Sequence, residues 1–181
     1  MALSGKEIKD RHYIQTVVGA CVKELLENNL SDDVPVRIIS GNVLTGTKIE
    51  EDGYMGFYER QITAIREGVE PELFGWLIPK PNKFSISRAL PSWFMRQVGQ
   101  VKYDLDTNNH GELRAFVVSG EYEKVFPFDI FPVQLLKAIL NEDIDAMEKL
   151  GLYELVEEDF ALCEVVCTSK INVQNIVRDG L

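Results

Sequence analysis

Two cysteines that lie four residues apart, Cys163 and Cys167, have a spacing that could hold a metal. They match the second half of an iron–sulfur ligand run, in which four thiolates follow a C-x2-C-x2-C-x3-C spacing. The first two ligands of that run would fall on Glu157 and Phe160. A carboxylate is a hard, poor replacement for a thiolate, and a phenyl ring has no donor atom. The spacing is therefore that of a cluster whose first two ligands are absent.

Two roles remain open for this cysteine pair. Half of a zinc or cluster site would need a second pair of thiols or a histidine, and neither lies nearby in the sequence. A small buried hydrophobic residue is the commoner role of a free cysteine. We predict no metal site and assign no catalytic residue, so the run from Leu155 to Lys170 is expected to serve in packing and docking.

A series of short helices must position these cysteines. The pattern that starts at Phe131 is helical, and Pro132 suits a first helical turn. Gly151 is predicted to stop a second helix, residues 157–159 place three carboxylates in the first turn of a third, and Asn172 caps a fourth. The predicted buried positions are Val133, Leu135, Leu136, Ile139, Leu140, Ile144, Met147, Leu150, Phe160, Cys163, Cys167, Val173, Ile176 and Val177, with Leu162 and Val166 beside the stripe of the third helix. Residues 131–181 are therefore expected to form a small helical bundle.

The segment 141–159 is strongly acidic, with eight carboxylates and one lysine. A calcium loop that starts at Asp143 would need a ligand at its fifth place and glycine at its sixth, but Met147 and Glu148 stand there. These carboxylates are therefore expected in first turns and on solvated helix faces. A cation or a basic partner is the alternative interpretation.

The N-terminal half alternates between strand-like and helical patterns. β-branched residues predict a strand at 13–18, and an apolar helical stripe follows from Cys21 to Leu30. Further extended segments are predicted at 35–40, 43–44 and 54–66, with the clearest alternation at 61–65. This order predicts an α+β unit in which a helix lies on one face of a mixed sheet, and a β-grasp, ubiquitin-like domain is one such topology.

Gly41-x4-Gly46-Thr47-Lys48 invites comparison with a phosphate-binding loop. That motif requires lysine directly after the second glycine, then serine or threonine, at the start of a helix. Here threonine and lysine are transposed, and an acidic, turn-rich stretch follows. We therefore interpret the two glycines as turn residues that flank a short strand.

The middle of the chain offers few candidates for chemistry. Strands are predicted at 73–78 and 114–120, and the prolines from Pro79 onward suggest a domain boundary. Trp93, Phe94 and Met95 could line a pocket for an apolar ligand or form a docking surface, although core packing is the commoner role of aromatic residues. The two histidines, His12 and His110, lie in polar sequence, and His110 is interpreted as a solvated turn residue.

Composition excludes several classes of protein. The formal net charge of −10 argues against nucleic acid or anionic lipid as the primary partner. No apolar run approaches the roughly 20 residues that a membrane span needs, and no secretory signal opens the chain. Three cysteines fit a reducing cytoplasm without structural disulfides.

Successive blocks of the sequence resemble one known family. These blocks are 39–46 (Ile-Ser-Gly-Asn-Val-Leu-Thr-Gly), 66–68 (Arg-Glu-Gly), 72–76 (Glu-Leu-Phe-Gly-Trp), 126–132 (Phe-Pro-Phe-Asp-Ile-Phe-Pro) and 157–167 (Glu-Glu-Asp-Phe-Ala-Leu-Cys-Glu-Val-Val-Cys). They resemble, in order, the C-terminal part of the A subunit of the sodium-translocating NADH:quinone reductase. The family's N-terminal domains, a biotin-carrier-like unit and a Rossmann-like domain, have no counterpart here. The resemblance thus suggests that Met1 is an artificial start and that the ending in mid-helix is a truncation.

The resemblance also implies a domain plan. The family is similar to the flavoprotein subunit of respiratory complex I and to the C subunit of the Rnf complex. By that likeness, 1–78 would be a soluble-ligand-binding β-grasp (SLBB) domain, 79–130 a connecting segment with strands, and 131–181 a degenerate iron–sulfur helical domain. In the Rnf protein the last ligand is followed by a proline, and Thr168 stands in its place here.

The same resemblance implies a role in a membrane complex that passes electrons from NADH to ubiquinone and exports sodium. It implies a peripheral position on the cytoplasmic side of the bacterial inner membrane, other subunits of the complex as partners, ubiquinone as a possible ligand, and no redox cofactor in this part of the complex. The alternative is a pure subunit-docking module without a ligand site, and a cluster-binding electron carrier is a third interpretation.

Overall fold

The computed structural model describes residues 1–68 and 105–181. The chain divides into two compact units, Met1–His110 and Gly111–Leu181. The first contains a four-stranded sheet and the second contains short helices, so the expected mixture of helix and sheet is confirmed. The predicted strand at 73–78, the domain boundary at 79 and the aromatic cluster Trp93, Phe94 and Met95 lie outside the described residues.

The first unit, the sheet unit, is organised around its longest strand. Its elements are β1 (Ala2–Ser4), α1 (Val22–Leu25), β2 (Val36–Ser40), β3 (Thr47–Ile49) and β4 (Gln61–Arg66). The strands lie in the order β1-β4-β2-β3, with β1 parallel to β4 and the other pairs antiparallel. Central β4 buries four consecutive residues, as expected of a strand covered on both faces.

The core of the sheet unit joins the sheet to α1 and the segments beside it. Val22 and Leu26 are buried from the helical region, together with strand residues such as Ile38 and Ile62. The full buried set is Leu3, Ile8, Val22, Leu26, Ile38, Met55, Ile62 and Ala64. The strand predicted at 35–40 and the clearest part of the strand predicted at 54–66 are confirmed as β2 and β4.

Three expectations for the sheet unit are wrong. The strand predicted at 13–18 is reduced to one isolated bridge between Tyr13 and Ala2, since no further neighbour pairs with it among the described residues. The helix predicted from Cys21 to Leu30 is a single turn, because Asn28 adopts a left-handed conformation and the chain turns back. Residues 43–44 form a turn, because the Asn42 side-chain oxygen accepts hydrogen bonds from the two following amides at 44 and 45.

The second unit, the helical unit, carries the four helices that the periodicity predicts. They are α2 (Pro132–Leu140), α3 (Ile144–Lys149), α4 (Ala161–Val166) and α5 (Val173–Gly180), with 3-10 turns at Tyr122–Lys124, Leu152–Glu154 and Glu157–Phe160. The Asp143 carboxylate accepts from the amide of Ala146, and the Asn172 side chain accepts from the amide of Asn175. The predicted cap at Asn172 is thereby confirmed, and Asp143 caps α3 in the same way, since each satisfies an amide without a helical partner.

Most of the predicted stripe forms one core, with exceptions at the α2–α3 turn. The buried members are Tyr122, Val133, Leu135, Leu136, Ala138, Ile139, Met147, Leu152, Leu155, Phe160, Cys163, Cys167, Val173 and Val177. Leu140 and Ile144 are exposed, because they flank that turn on the side away from the core. The strand predicted at 114–120 is absent: its Arg114 amide donates to the carbonyl of Ser169, but no strand lies beside it among the described residues.

No helix in the described part of the chain is long and apolar enough to cross a membrane.

Candidate functional site

The cysteine pair lies at the centre of the helical unit. Cys163 belongs to α4 and Cys167 directly follows it, and both side chains are buried. The Tyr122 hydroxyl donates a hydrogen bond to the Cys167 sulfur over 2.9 Å. Helical spacing places both thiols on the inward face, as predicted, and Tyr122 is the neighbour that sequence spacing did not reveal.

The two positions where cluster ligands would be expected have other functions. Phe160 is fully buried, and its ring centroid lies 4.7 Å from that of Phe126. Glu157 faces outward and accepts hydrogen bonds from Nε and Nη2 of Arg178 at 3.0 and 2.7 Å. One residue therefore fills apolar volume, and the other is held on the surface by an ion pair.

The surroundings keep the buried hydroxyl and thiol protonated. Burial, reinforced by the negative charge of Glu123, raises the pKa of Cys163 from 9.0 to about 12. Burial and the contact with Cys167 raise the pKa of Tyr122 far above its ordinary value. Metals bind thiolates, so the protonated Cys163 thiol, in the same core as the phenyl ring of Phe160, is a poor ligand. The described residues contain no group of three or more His, Cys, Asp or Glu side chains arranged to hold a metal, and the residues around the pair do not fit an iron–sulfur cluster.

The glycines that resemble a phosphate loop are engaged within the fold. Gly41 has a φ of 103° and its amide donates to the carbonyl of Gln61 over 2.8 Å. The Gly46 amide donates to the carbonyl of Asn42 over 3.0 Å, and β3 follows where a phosphate loop would begin a helix. These amides each bond to a carbonyl of the fold, so the glycines are turn residues as predicted, although the chain between them is a turn and not the expected short strand.

The other polar candidates also have structural partners. His12 lies beside Asp10 on the surface, and His110, in a left-handed turn, places Nε2 2.9 Å from Asp106 Oδ1. Within the acidic segment, Asp143 caps α3 and the Asp159 carboxylate accepts from the amide of residue 156. Local hydrogen bonds thus account for part of the acidic run.

Comparison with known proteins identifies relatives along the whole chain. Residues 1–51 match the family model described as NQRA C-terminal domain, of the SLBB type. Over 183 residues the whole chain is 38% identical to the A subunit of the Na(+)-translocating NADH-quinone reductase of Haemophilus influenzae (strain 86-028NP), of which it covers 40%. It is 37% identical to the protein of that name from Rhodopirellula baltica and 39% identical to the one from Shewanella frigidimarina, with similar coverage.

The chain is similar in sequence to the C-terminal part of this A subunit. The resemblance drawn from the residue blocks is thereby confirmed. The chain spans about two fifths of the length of the curated relatives it matches.

The sheet unit also carries a polar cluster that no sequence pattern indicated. Arg37 on β2 donates through Nε to Glu67 Oε2 over 2.8 Å and through Nη2 to the other carboxylate oxygen. Thr107 donates to Glu67 over 3.1 Å and accepts from the amide of Gly68 over 2.8 Å. The Arg37 hydrogen bond lowers the pKa of Glu67. These residues lie far apart in sequence, so only the folded sheet brings them together.

A groove on the surface of the helical unit is the second feature that sequence reasoning missed. It has a volume of about 570 Å³ and lies among α2, α3, the 152–154 turn and α5. Leu140 and Ile144, predicted to be buried, stand at its edge. Sequence periodicity did not separate these two residues from the core positions, because it gives the apolar face of a helix but not the extent of the neighbours that cover it.

Proposed function

We propose that this chain is part of the A subunit of a sodium-translocating NADH:quinone reductase. It contributes to quinone binding, to assembly of the complex or to both, has no redox cofactor of its own, and does not catalyse NADH oxidation alone. Its place is peripheral, on the cytoplasmic side of the bacterial inner membrane, against other subunits. The observation that carries this proposal is 38% identity along the full chain to proteins of that name.

We also propose a β-grasp topology for the sheet unit and a bundle for 131–181. The Tyr13 bridge lies outside β1, so the lateral order is Tyr13, β1, β4, β2, β3. The first strand pairs in parallel with the last, the helical turn α1 lies in the connection to β2, and β2 and β3 form a hairpin. This arrangement supports a ubiquitin-like domain, which agrees with the SLBB family match.

The absence of a redox cofactor is supported by the buried, protonated thiol of Cys163 and by the phenyl ring at position 160. Anaerobic treatment of the purified chain with iron and sulfide tests it. We expect no visible absorption after desalting. A stable brown product that is lost in Cys163→Ala and Cys167→Ala would instead establish an electron carrier.

Quinone binding is proposed for Trp93 and Phe94, which lie outside the described residues. A quinone needs an apolar cleft with aromatic walls, and these adjacent aromatics are the best candidates that the sequence provides. Trp93→Ala and Phe94→Ala in the reconstituted complex should weaken quinone affinity, whereas Phe131→Ala, an exposed phenylalanine of the helical unit, should leave it unchanged. Unchanged affinity in the first two variants would remove this assignment.

A pure docking module is the second candidate, and the exposed aromatics of the sheet unit favour it. Phe57 and Tyr58 are exposed side by side, with ring centroids 4.9 Å apart. Hydrogen exchange in the assembled complex separates the two candidates. Protection limited to contacts between subunits and unaffected by quinone favours docking alone, and additional protection on adding quinone favours a ligand site.

A further inference from the structure

The groove on the helical unit combines an apolar floor with an acidic rim. Its lining residues are Ile139, Leu140, Glu142, Ile144, Met147, Leu152, Tyr153, Ile176, Asp179 and Gly180. Met147 and Leu152 are buried and belong to the core, so the floor is fixed by packing. All of these residues belong to one compact unit, and the groove is therefore a preformed feature of its surface.

The walls of the groove leave large apolar side chains in water. Leu140, Ile144 and Tyr153 are 54%, 65% and 71% exposed. Scattered exposed apolar residues are ordinary, but a contiguous group around a depression, with a polar rim, is typical of an interaction site. Covering these three side chains would remove from water an apolar surface that the unit itself cannot bury.

The rim of the groove carries negative charge, and Arg178, which neighbours Asp179 in the chain, is paired with Glu157. Glu142 and Asp179 line it, and neither makes a salt bridge to a lysine or arginine within the described residues. No described lining residue is basic. The formal charge of the chain, −10, has the same sign as the rim. Cations are therefore attracted to this surface, and anions are repelled from it.

Glu142 occupies a backbone position that normally belongs to glycine. Its φ is 55°, its amide donates to the carbonyl of Ile139 over 2.9 Å, and the next amide reaches the carbonyl of Ala138 over 3.0 Å. This is the left-handed C-terminal cap of α2, where a side chain is strained. At the end of α3 the chain uses Gly151 in the same conformation, with φ 86°. At position 142 a carboxylate is held at the rim despite its conformational cost.

We propose that this groove binds an amphipathic segment of another polypeptide, in which an apolar run is flanked by lysine or arginine. Apolar side chains of that segment cover Leu140, Ile144 and Tyr153, and its cations lie against Glu142 and Asp179. The sign of the rim disfavours an anionic lipid surface and a second copy of this acidic chain. This assignment rests on the proposed role within a complex of several proteins and adds to that role a surface and the chemistry of the partner.

A designed peptide tests the groove directly. The probe is a labelled helix of about 16 residues, with leucine on one face and lysine beside it. Its matched control replaces every lysine by glutamate. Titration with the full chain, followed by fluorescence anisotropy, should show saturable binding of the basic peptide, and at least about tenfold weaker binding of the acidic one. Raising the salt from about 50 to about 300 mM should weaken binding of the basic peptide only.

Variants assign the binding to the groove. Ile144→Ser should weaken it about tenfold, because one wall of the groove is lost, whereas Leu162→Ser, an exposed leucine of α4 outside the groove, should not change it. Glu142→Gly should weaken binding by about two- to fivefold and raise the urea midpoint, since glycine relieves the left-handed strain. Glu27→Gln, with the same change of charge in the sheet unit, should have neither effect.

Equal binding of the two peptides, binding unaffected by Ile144→Ser, or no saturation at about 1 mM of the chain would overturn the proposal. A concentration-dependent dimer that Ile144→Ser dissociates would overturn it also, because the groove would then bind a second copy. These outcomes are separate from the failure of the proposed function, which is read from incorporation of the chain into the assembled reductase. If the Ile144→Ser variant is incorporated normally into the reductase, the proposed function stands, and only the assignment of this groove as a binding surface is lost.

Discussion

The sheet unit and the helical unit bury different kinds of side chain. In the sheet unit Ser40 and Thr63 are buried within a strand ladder, and Thr63 donates to the carbonyl of Gly41 over 2.7 Å. In the helical unit the interior contains rings and thiols, with Phe160, Cys163 and Tyr122 nearly or fully inaccessible. The first unit thus buries hydrogen-bonded strand side chains beside its apolar core, whereas rings and thiols fill the core of the second, in which the buried Ser169 hydroxyl donates to the carbonyl of Ala115.

This difference explains how a packing stripe can have the spacing of a metal-binding motif. A helix that must bury one face repeats its apolar residues every three or four positions. Cys163 and Cys167 follow that period together with Phe160, so a stripe for packing also has the spacing of two cluster ligands. Metal binding would require thiolates in a site open to ions, and these thiols lie within a closed core that keeps Cys163 protonated.

The largest expected effect is on packing in the helical unit. Phe160→Ala should destabilise it by about 3–5 kcal/mol, because the phenyl ring fills the core beside Phe126. Phe131→Ala, which truncates an exposed ring, should cost less than about 1 kcal/mol. Urea unfolding followed by circular dichroism, with peptide-resolved hydrogen exchange to assign the unit, measures both. Equal costs would show that position 160 is not a packing position.

Thiol reactivity distinguishes the two units next. Cys21 of the sheet unit is partly exposed, whereas Cys163 and Cys167 are buried. Iodoacetamide at about pH 8 should therefore alkylate Cys21 at least about 100-fold faster than the other two, which react only through opening of the core. Mass spectrometry of peptides over time gives the rates. In Cys21→Ser the fast phase should vanish, and a fast phase that persists would contradict the closed core.

Polar contacts should matter most in the sheet unit. Thr63→Val keeps the shape of the side chain but removes the donor to Gly41 and the partner of the Gln61 amide, and should cost about 1–3 kcal/mol. Thr47→Val on exposed β3 should change stability by less than about 0.5 kcal/mol. The urea midpoint of the sheet unit measures the difference. A neutral Thr63→Val would mean that packing holds this unit as well.

The smallest expected effects are on pH dependence, and they differ in sign between the units. Cys163 is protonated up to about pH 12 in the fold but ionises near 9.0 when unfolded, so its contribution is complete below pH 9.0 and is lost as pH rises. The lowered pKa of Glu67 gives the sheet unit a contribution that is present above pH 4.5 and is lost on acidification. As the pH is raised above 9.0, the urea midpoint of Cys163→Ala should fall less than that of the unchanged protein. As the pH is lowered below 4.5, the urea midpoint of Glu67→Gln should likewise fall less than that of the unchanged protein. An unchanged profile in either variant would contradict the assigned group.

Much of the helical unit could be predicted from the sequence because its determinants are local. Caps at Asp143 and Asn172, the stop at Gly151 and the buried stripe through Phe160 depend on residues a few positions apart. The prediction of burial was wrong at Leu140 and Ile144, since periodicity gives the apolar face of a helix but not the extent of the neighbours that cover it.

The sheet unit was less predictable because a strand exists only with a partner. The β-branched stretch after Tyr13 has the composition of a strand, yet only Tyr13 pairs. The strand predicted at 114–120 in the helical unit is absent for the same reason, because no strand lies beside it among the described residues. At 61–66, in contrast, strand-like composition coincided with neighbours on both sides, β1 and β2, and the prediction succeeded.

The sequence by itself determined the similarity to known A subunits, the helices and the incomplete ligand spacing, because residue identities, helical period and caps act over short distances. Only the tertiary structure decided that Tyr122 meets Cys167, that Arg37, Glu67 and Thr107 form one cluster, and that Ile144 borders an acidic groove. Each of these contacts joins residues whose separation along the chain is set by the fold, and their chemistry follows from burial and neighbouring charge that no local pattern records.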